Sequence, residues 1–149
     1  MIYLHFAFIP ETTNVSQIPR DLNCIERSIQ FTVEEEQGSK LPFLDVLIHR
    51  HSERLKYALY RNPTNKEDLI HYLSAHSDRV KSAIVIGFYL RALRICSPDF
   101  IQEEIDHVVN TFIRLKFPLT LLLSLQKTAR KIFQRGAEAT GNKRSGTAQ

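Results

Sequence analysis

Lys127, Arg130, Lys131 and Arg135 recur at helical spacing near the C-terminal end of this 149-residue chain. At 100° per residue the four cations fall within one arc of about 140°, which they share with Thr120 and Ser124. Leu121, Leu122, Leu125, Ala129, Ile132 and Phe133 occupy an opposing arc of about 120°. A helix so divided can bury one side and offer cations on the other. The chemistry such a face can do is phosphate neutralisation. Each phosphate contacted releases counterions, giving salt-dependent binding that reads no sequence. The alternative is a solvated charged surface.

Other side chains offer less. His49 and His51 share one face of a strand, and His71 and His76 lie near the start of the helical part. No cysteine or carboxylate stands at a usual zinc spacing beside either pair, so they read as exposed or hydrogen-bonded histidines. Asp45 is the lone carboxylate of "LPFLDVLI" and reads as capping a turn or pairing with an arginine such as Arg61. Glu34, Glu35 and Glu36 suit a solvated strand end that discourages edge-to-edge aggregation. There is no glycine-rich phosphate loop, and no Ser, His and Asp set stands out. No metal, other cofactor or small-molecule substrate is expected. Cys24 and Cys96 read as two reduced thiols of an intracellular protein, with nucleus and cytoplasm equally open.

Composition sets the frame. Hydrophobic residues make up 43% and charged residues 24%, which suits one domain with a real core. The net charge is +4. It is placed unevenly: residues 1–115 hold 13 Lys or Arg against 15 Asp or Glu, and residues 116–149 hold 7 against 1. A polyanion would be drawn to the C-terminal end. No apolar run reaches the ~20 residues that span a bilayer. The opening "MIYLHFAFIP" has neither a basic start nor a cleavage site and reads as an internal strand.

The elements that would position the basic face follow from periodicity. Residues 1–9 read as a strand and Gln17–Arg27 as a weak helix. Ile29, Phe31 and Val33 alternate with polar residues, as in a half-buried strand. Gly38 suits a turn. Phe43–Arg50 and Leu55–Arg61 complete a three-stranded antiparallel meander, which Pro63 ends. Glu67–Ala75 suits a short helix. Asp78 would cap a long helix to about Cys96, apolar around most of its circumference and so surrounded by other elements. Ser97 and Pro98 open the next helix as N-cap and first helical residue, and Ile101, Ile105, Val108, Phe112 and Leu115 form its stripe. The last helix runs from Pro118 to about Gln134. The expected architecture is α+β: a small meander followed by a three-helix, helix-turn-helix-like bundle. The segments are 1–27, 28–63 for the sheet, 64–135 for the helices, and a disordered basic tail over 136–149.

Two stretches, "SIQFTVEEEQGSKLPFLDVLIHRH" and "YALYRNPTNKEDLIHYLSAHSDRVKSAIVIGFYLRALRICS", resemble the reverse transcriptases of Penelope-like retroelements. The resemblance is strongest over Ser28–Ser97 and thinner to about Arg135. It is carried jointly by "FT.E.E", "LPFLD", "YR.PT", "Y.S.H" and "RA..IC". It implies the end of a polymerase palm and the start of its thumb. Leu41, Pro42, Phe43, Leu44, Asp45, Tyr60 and Arg61 would form a primer-grip-like hairpin. The helices from Asp78 to Gln134 would be a thumb lying along a template–primer duplex. The catalytic strand pair of that family carries two aspartates, where this chain has His5 and Phe6 after Tyr3 and Leu4. The turn before the last helix usually holds glycine, where this chain has "RLKFP".

The resemblance therefore implies a reverse transcriptase-like fragment without catalytic aspartates, which is not itself an enzyme and keeps weak affinity for a duplex backbone. A stand-alone helix-turn-helix module that binds nucleic acid or docks is the alternative. A third reading is a fragment whose Phe6, Phe8, Phe43 and Leu47, left uncovered, promote self-association.

Overall fold

The computed structural model describes residues 14, 16–25, 28–51, 54–62 and 69–144. The expected strand over 1–9, with Phe6 and Phe8, lies outside them. The described elements are α1 (Gln17–Ile25), β1 (Lys40–Phe43), β2 (Val46–Arg50), β3 (Leu55–Leu59), α2 (Asp78–Ile95), α3 (Pro98–Arg114) and α4 (Leu119–Arg144). The fold is α+β: a three-stranded antiparallel sheet in the order β1-β2-β3, followed by a three-helix lobe.

The meander is smaller than the alternation predicts. Ile29, Phe31 and Val33 form no strand, and Ile29 and Val33 stay exposed. Their segment is held instead by Asn23 of α1, whose side-chain amide bonds both the N–H and the C=O of Phe31. The first strand is Lys40–Phe43, because the chain reverses within what reads as one continuous strand. Phe43 pairs with Val46, leaving Leu44 and Asp45 as a two-residue turn. Leu44 takes φ +56°, a conformation that favours glycine. Pro42 is tolerated because β1 is an edge strand.

The helical lobe is packed around Val85 and Tyr89 of α2, Ile105, Val108 and Phe112 of α3, and Phe117, Leu122, Leu125 and Ala129. Deleting a fully buried Leu122 side chain would cost about 2–5 kcal/mol. An aromatic run joins the elements: Tyr72 against Phe117, Phe117 against Phe112, and Phe112 against Phe88. The amide of Tyr72 donates to the carbonyl of Leu115 at 2.9 Å. The approach to α2 therefore sits beside the end of α3 and the start of α4. The lobe runs up, down and up again.

Several boundaries differ from expectation. Residues 69–76 form turns and bends rather than helix; residues 67 and 68 are outside the described set. Ser77, not Asp78, caps α2, its hydroxyl accepting from the amide of Val80. α4 continues to Arg144, past the tail boundary expected at Gly136. α2 is not surrounded: Val80, Ala83, Gly87, Arg91 and Arg94 are exposed along one side.

The α3–α4 turn works without glycine. Lys116 takes φ +67°. Its amide bonds the carbonyl of Ile113, and that of Phe117 bonds the carbonyl of Phe112. These are the paired bonds of a Schellman cap. Phe117 packs edge-on against Phe112, 5.1 Å between ring centroids, which supplies the apolar contact of the same motif.

Candidate nucleic-acid interface

α4 presents the four cations as a surface. Leu122, Leu125 and Ala129 are buried against the lobe, with Leu121 and Phe133 half-buried beside them. Lys127, Arg130, Lys131 and Arg135 are all exposed. Ile132, expected in the core, is exposed as well. From Gln134 to Ala139 every residue is exposed, so the helix projects beyond its packed part. Glu138 is the only carboxylate of α4. The first half of the outer face is different, with Leu119, Thr120, Leu123 and Ser124 exposed there. That half lacks the Arg, Asn or Gln side chains that read base edges bidentately.

The primer-grip-like residues divide between structural and exposed roles. Leu41, Pro42, Phe43 and Tyr60 are half-buried in or beside the sheet, and Leu47 likewise. Leu44 is 64% exposed at the hairpin tip. Asp45 pairs with Arg91 of α2 at 2.8 Å, not with Arg61. Arg61 instead holds Glu104 of α3 with both ends of its guanidinium, Nη1 to Oε2 at 2.9 Å and Nη2 to Oε1. Glu104 is buried, so this fork supplies the countercharge that burial demands. Lys56 pairs with Asp99 and draws its carboxyl below the usual range. Ion pairs thus fix the sheet to both α2 and α3.

The histidines do not converge. The His49 ring stacks on Phe100 at 4.7 Å, and burial there lowers its pKa, helped by the nearby Lys40 and His51. His71 accepts from the amide of Leu73 through Nδ1, and His76 shares a hydrogen bond with Ser74. Among the described residues no three His, Cys, Asp or Glu side chains group to hold a metal ion. Cys24 is exposed and Cys96 buried; burial pushes the Cys96 thiol up. No described helix is long and apolar enough to cross a membrane.

Sequence reasoning found the α4 face but not what holds the hairpin. The Asp45–Arg91 and Arg61–Glu104 pairs link residues more than forty positions apart, and no local pattern announces them.

Residues 68–127 match the family model of the animal helix-turn-helix domain. The match spans α2, α3 and the first turns of α4 and ends at Lys127; the sheet and the remaining α4 cations lie outside it. No curated protein and no solved structure matches the chain.

Proposed function

We propose that this chain is a helix-turn-helix-type nucleic-acid-binding module that holds a duplex by its phosphate backbone. The observation that carries the reading is the division of α4, with Leu122, Leu125 and Ala129 buried and Lys127, Arg130, Lys131 and Arg135 exposed. The match over residues 68–127 supports it. Leu119 and Leu123 on the exposed first half of α4 favour backbone contact over base reading.

The finer form of the proposal is a thumb-like lobe that positions a template–primer duplex. The resemblance of Ser28–Ser97 to Penelope-like reverse transcriptases supports this. On this reading the chain positions and does not react, since His5 and Phe6 stand where that family has aspartates. Incubating the pure chain with a primed template, nucleotides and Mg²⁺ tests the last point. No primer extension is expected, and metal-dependent incorporation would overturn it.

The module itself is tested by a Lys127→Gln, Lys131→Gln, Arg135→Gln variant in gel-shift titrations against two unrelated duplexes. Wild type should bind both alike, and the variant should lose affinity for both by at least tenfold at low salt. Folding should be unchanged, because these side chains touch no core residue. Strong preference for one duplex would point to the second reading, a stand-alone regulator that reads sequence. Unchanged affinity would leave the α4 face a solvated surface.

A further inference from the structure

We infer that the outward face of α2 is a second nucleic-acid contact, where a phosphodiester strand crosses at Gly87 between Arg91, Arg94 and the hairpin tip. The inference rests on the nucleic-acid reading above but uses none of the α4 residues.

Gly87 stands in the middle of an 18-residue helix. It is exposed, and a Cβ placed there would meet nothing within 4 Å. Its φ is not in the left-handed range. Glycine at such a site costs about 1 kcal/mol of helix stability relative to alanine. No internal contact or turn offsets that cost. A benefit must come from outside, through an object that approaches the backbone more closely than a side chain would allow.

The surroundings state what that object is. Arg91 and Arg94 lie four and seven residues on, within about 40° of Gly87 around the helix axis. Both are exposed, and the only carboxylate of α2 is Asp78, in its first turn. Planar guanidiniums beside an open backbone suit phosphate oxygens.

The hairpin closes one side of this face. The Arg91 guanidinium donates to the Asp45 carboxylate, and the Asp45 carbonyl accepts the amide of Tyr60 at 2.8 Å. Leu44, beside Asp45, is thereby held at φ +56° with its side chain 64% exposed. An exposed leucine on a strained, doubly tethered turn is a stiff apolar tip. Beside arginines that hold phosphates, it is placed to press on a sugar or a base edge, as apolar wedges do in nucleic-acid grooves.

Gly87→Leu tests this, because structural and binding effects have opposite signs. The full chain is titrated with a fluorescent 20-base-pair duplex, and thermal melting is measured alongside. Gly87→Leu should raise Tm, since leucine is the better helix former and nothing lies in its way. It should also weaken binding at least fivefold. Arg94→Gln should weaken binding and flatten the salt slope by about one unit. A raised Tm with wild-type affinity would overturn the inference while the α4 variant still tests the module itself. A lowered Tm would also overturn it, since it would mean that part of the folded chain covers Gly87. If Gly87→Leu weakens binding and the α4 variant does not, the α2 face stands and the α4 reading falls.

Discussion

Ser97 and Tyr57 meet twice. The Ser97 amide donates to the Tyr57 carbonyl at 2.8 Å, and the Ser97 hydroxyl accepts from the Tyr57 amide at 2.9 Å. Ser97 is the N-cap of α3, yet its side chain makes no capping bond. The hydroxyl is used to extend the sheet instead, so the α2–α3 corner takes the place of a fourth strand beside β3. This joint and the Arg61–Glu104 fork fix the hairpin relative to the helices. Ser97→Ala removes one bond and leaves the Tyr57 amide without it. The expected loss is about 1 kcal/mol in urea unfolding, with faster hydrogen exchange at Tyr57. An unchanged exchange rate would show that the hydroxyl does not hold the strand.

Lys116 holds a backbone conformation that costs a side-chain-bearing residue about 1–2 kcal/mol. Glycine relieves that cost but gives back about 0.4–1 kcal/mol through the unfolded chain. Lys116→Gly is therefore expected to stabilise the lobe by about 0.5–1 kcal/mol. Destabilisation would mean that the lysine side chain contributes a contact that offsets its strain.

These two sites show what the sequence discloses and what it hides. Ser97 and Pro98 mark the start of α3 locally, so that boundary is legible. The bonds of Ser97 are not, because they reach forty residues back. The glycine-free "RLKFP" marks where a turn must manage strain, and Lys116 is where it falls. The alternation of Ile29, Phe31 and Val33 is that of a strand, but Asn23 takes up the peptide groups of Phe31. The turn at Leu44–Asp45 carries neither glycine nor asparagine, so "LPFLDVLI" reads as one strand although it is two. The α4 face was legible because helical period and charge agree along it. Gly87 carries no local signal that separates a tolerated glycine from a useful one.

His49 links stability to pH. Its pKa in the folded chain lies below the ordinary 6.5, chiefly because burial disfavours the charged ring. Between that lowered value and 6.5 the unfolded chain binds more protons than the folded one. Stability therefore rises with pH across this window and is lost as pH falls below 6.5. Denaturant midpoints measured from pH 7.5 to 5 should fall, and His49→Gln should flatten the trend. A wild-type profile flat through this range would contradict the burial of the ring against Phe100.

Tyr89 is 1% exposed, and its hydroxyl has no hydrogen-bond partner. Burial raises its pKa accordingly. An unsatisfied buried hydroxyl costs about 1–3 kcal/mol. Tyr89→Phe should keep the packing of the ring and stabilise the protein by about 1 kcal/mol in urea unfolding. A loss of stability would show that the hydroxyl is bonded in solution.

The salt dependence of duplex binding tests the central claim most directly. Log affinity should fall linearly with log salt, with a slope near −3.6 if all four α4 cations meet phosphates and steeper if α2 contributes. The Lys127→Gln, Lys131→Gln, Arg135→Gln variant should lose about 2.7 units of that slope. Identical slopes for the two proteins would contradict the assignment of α4 as the face that holds nucleic acid.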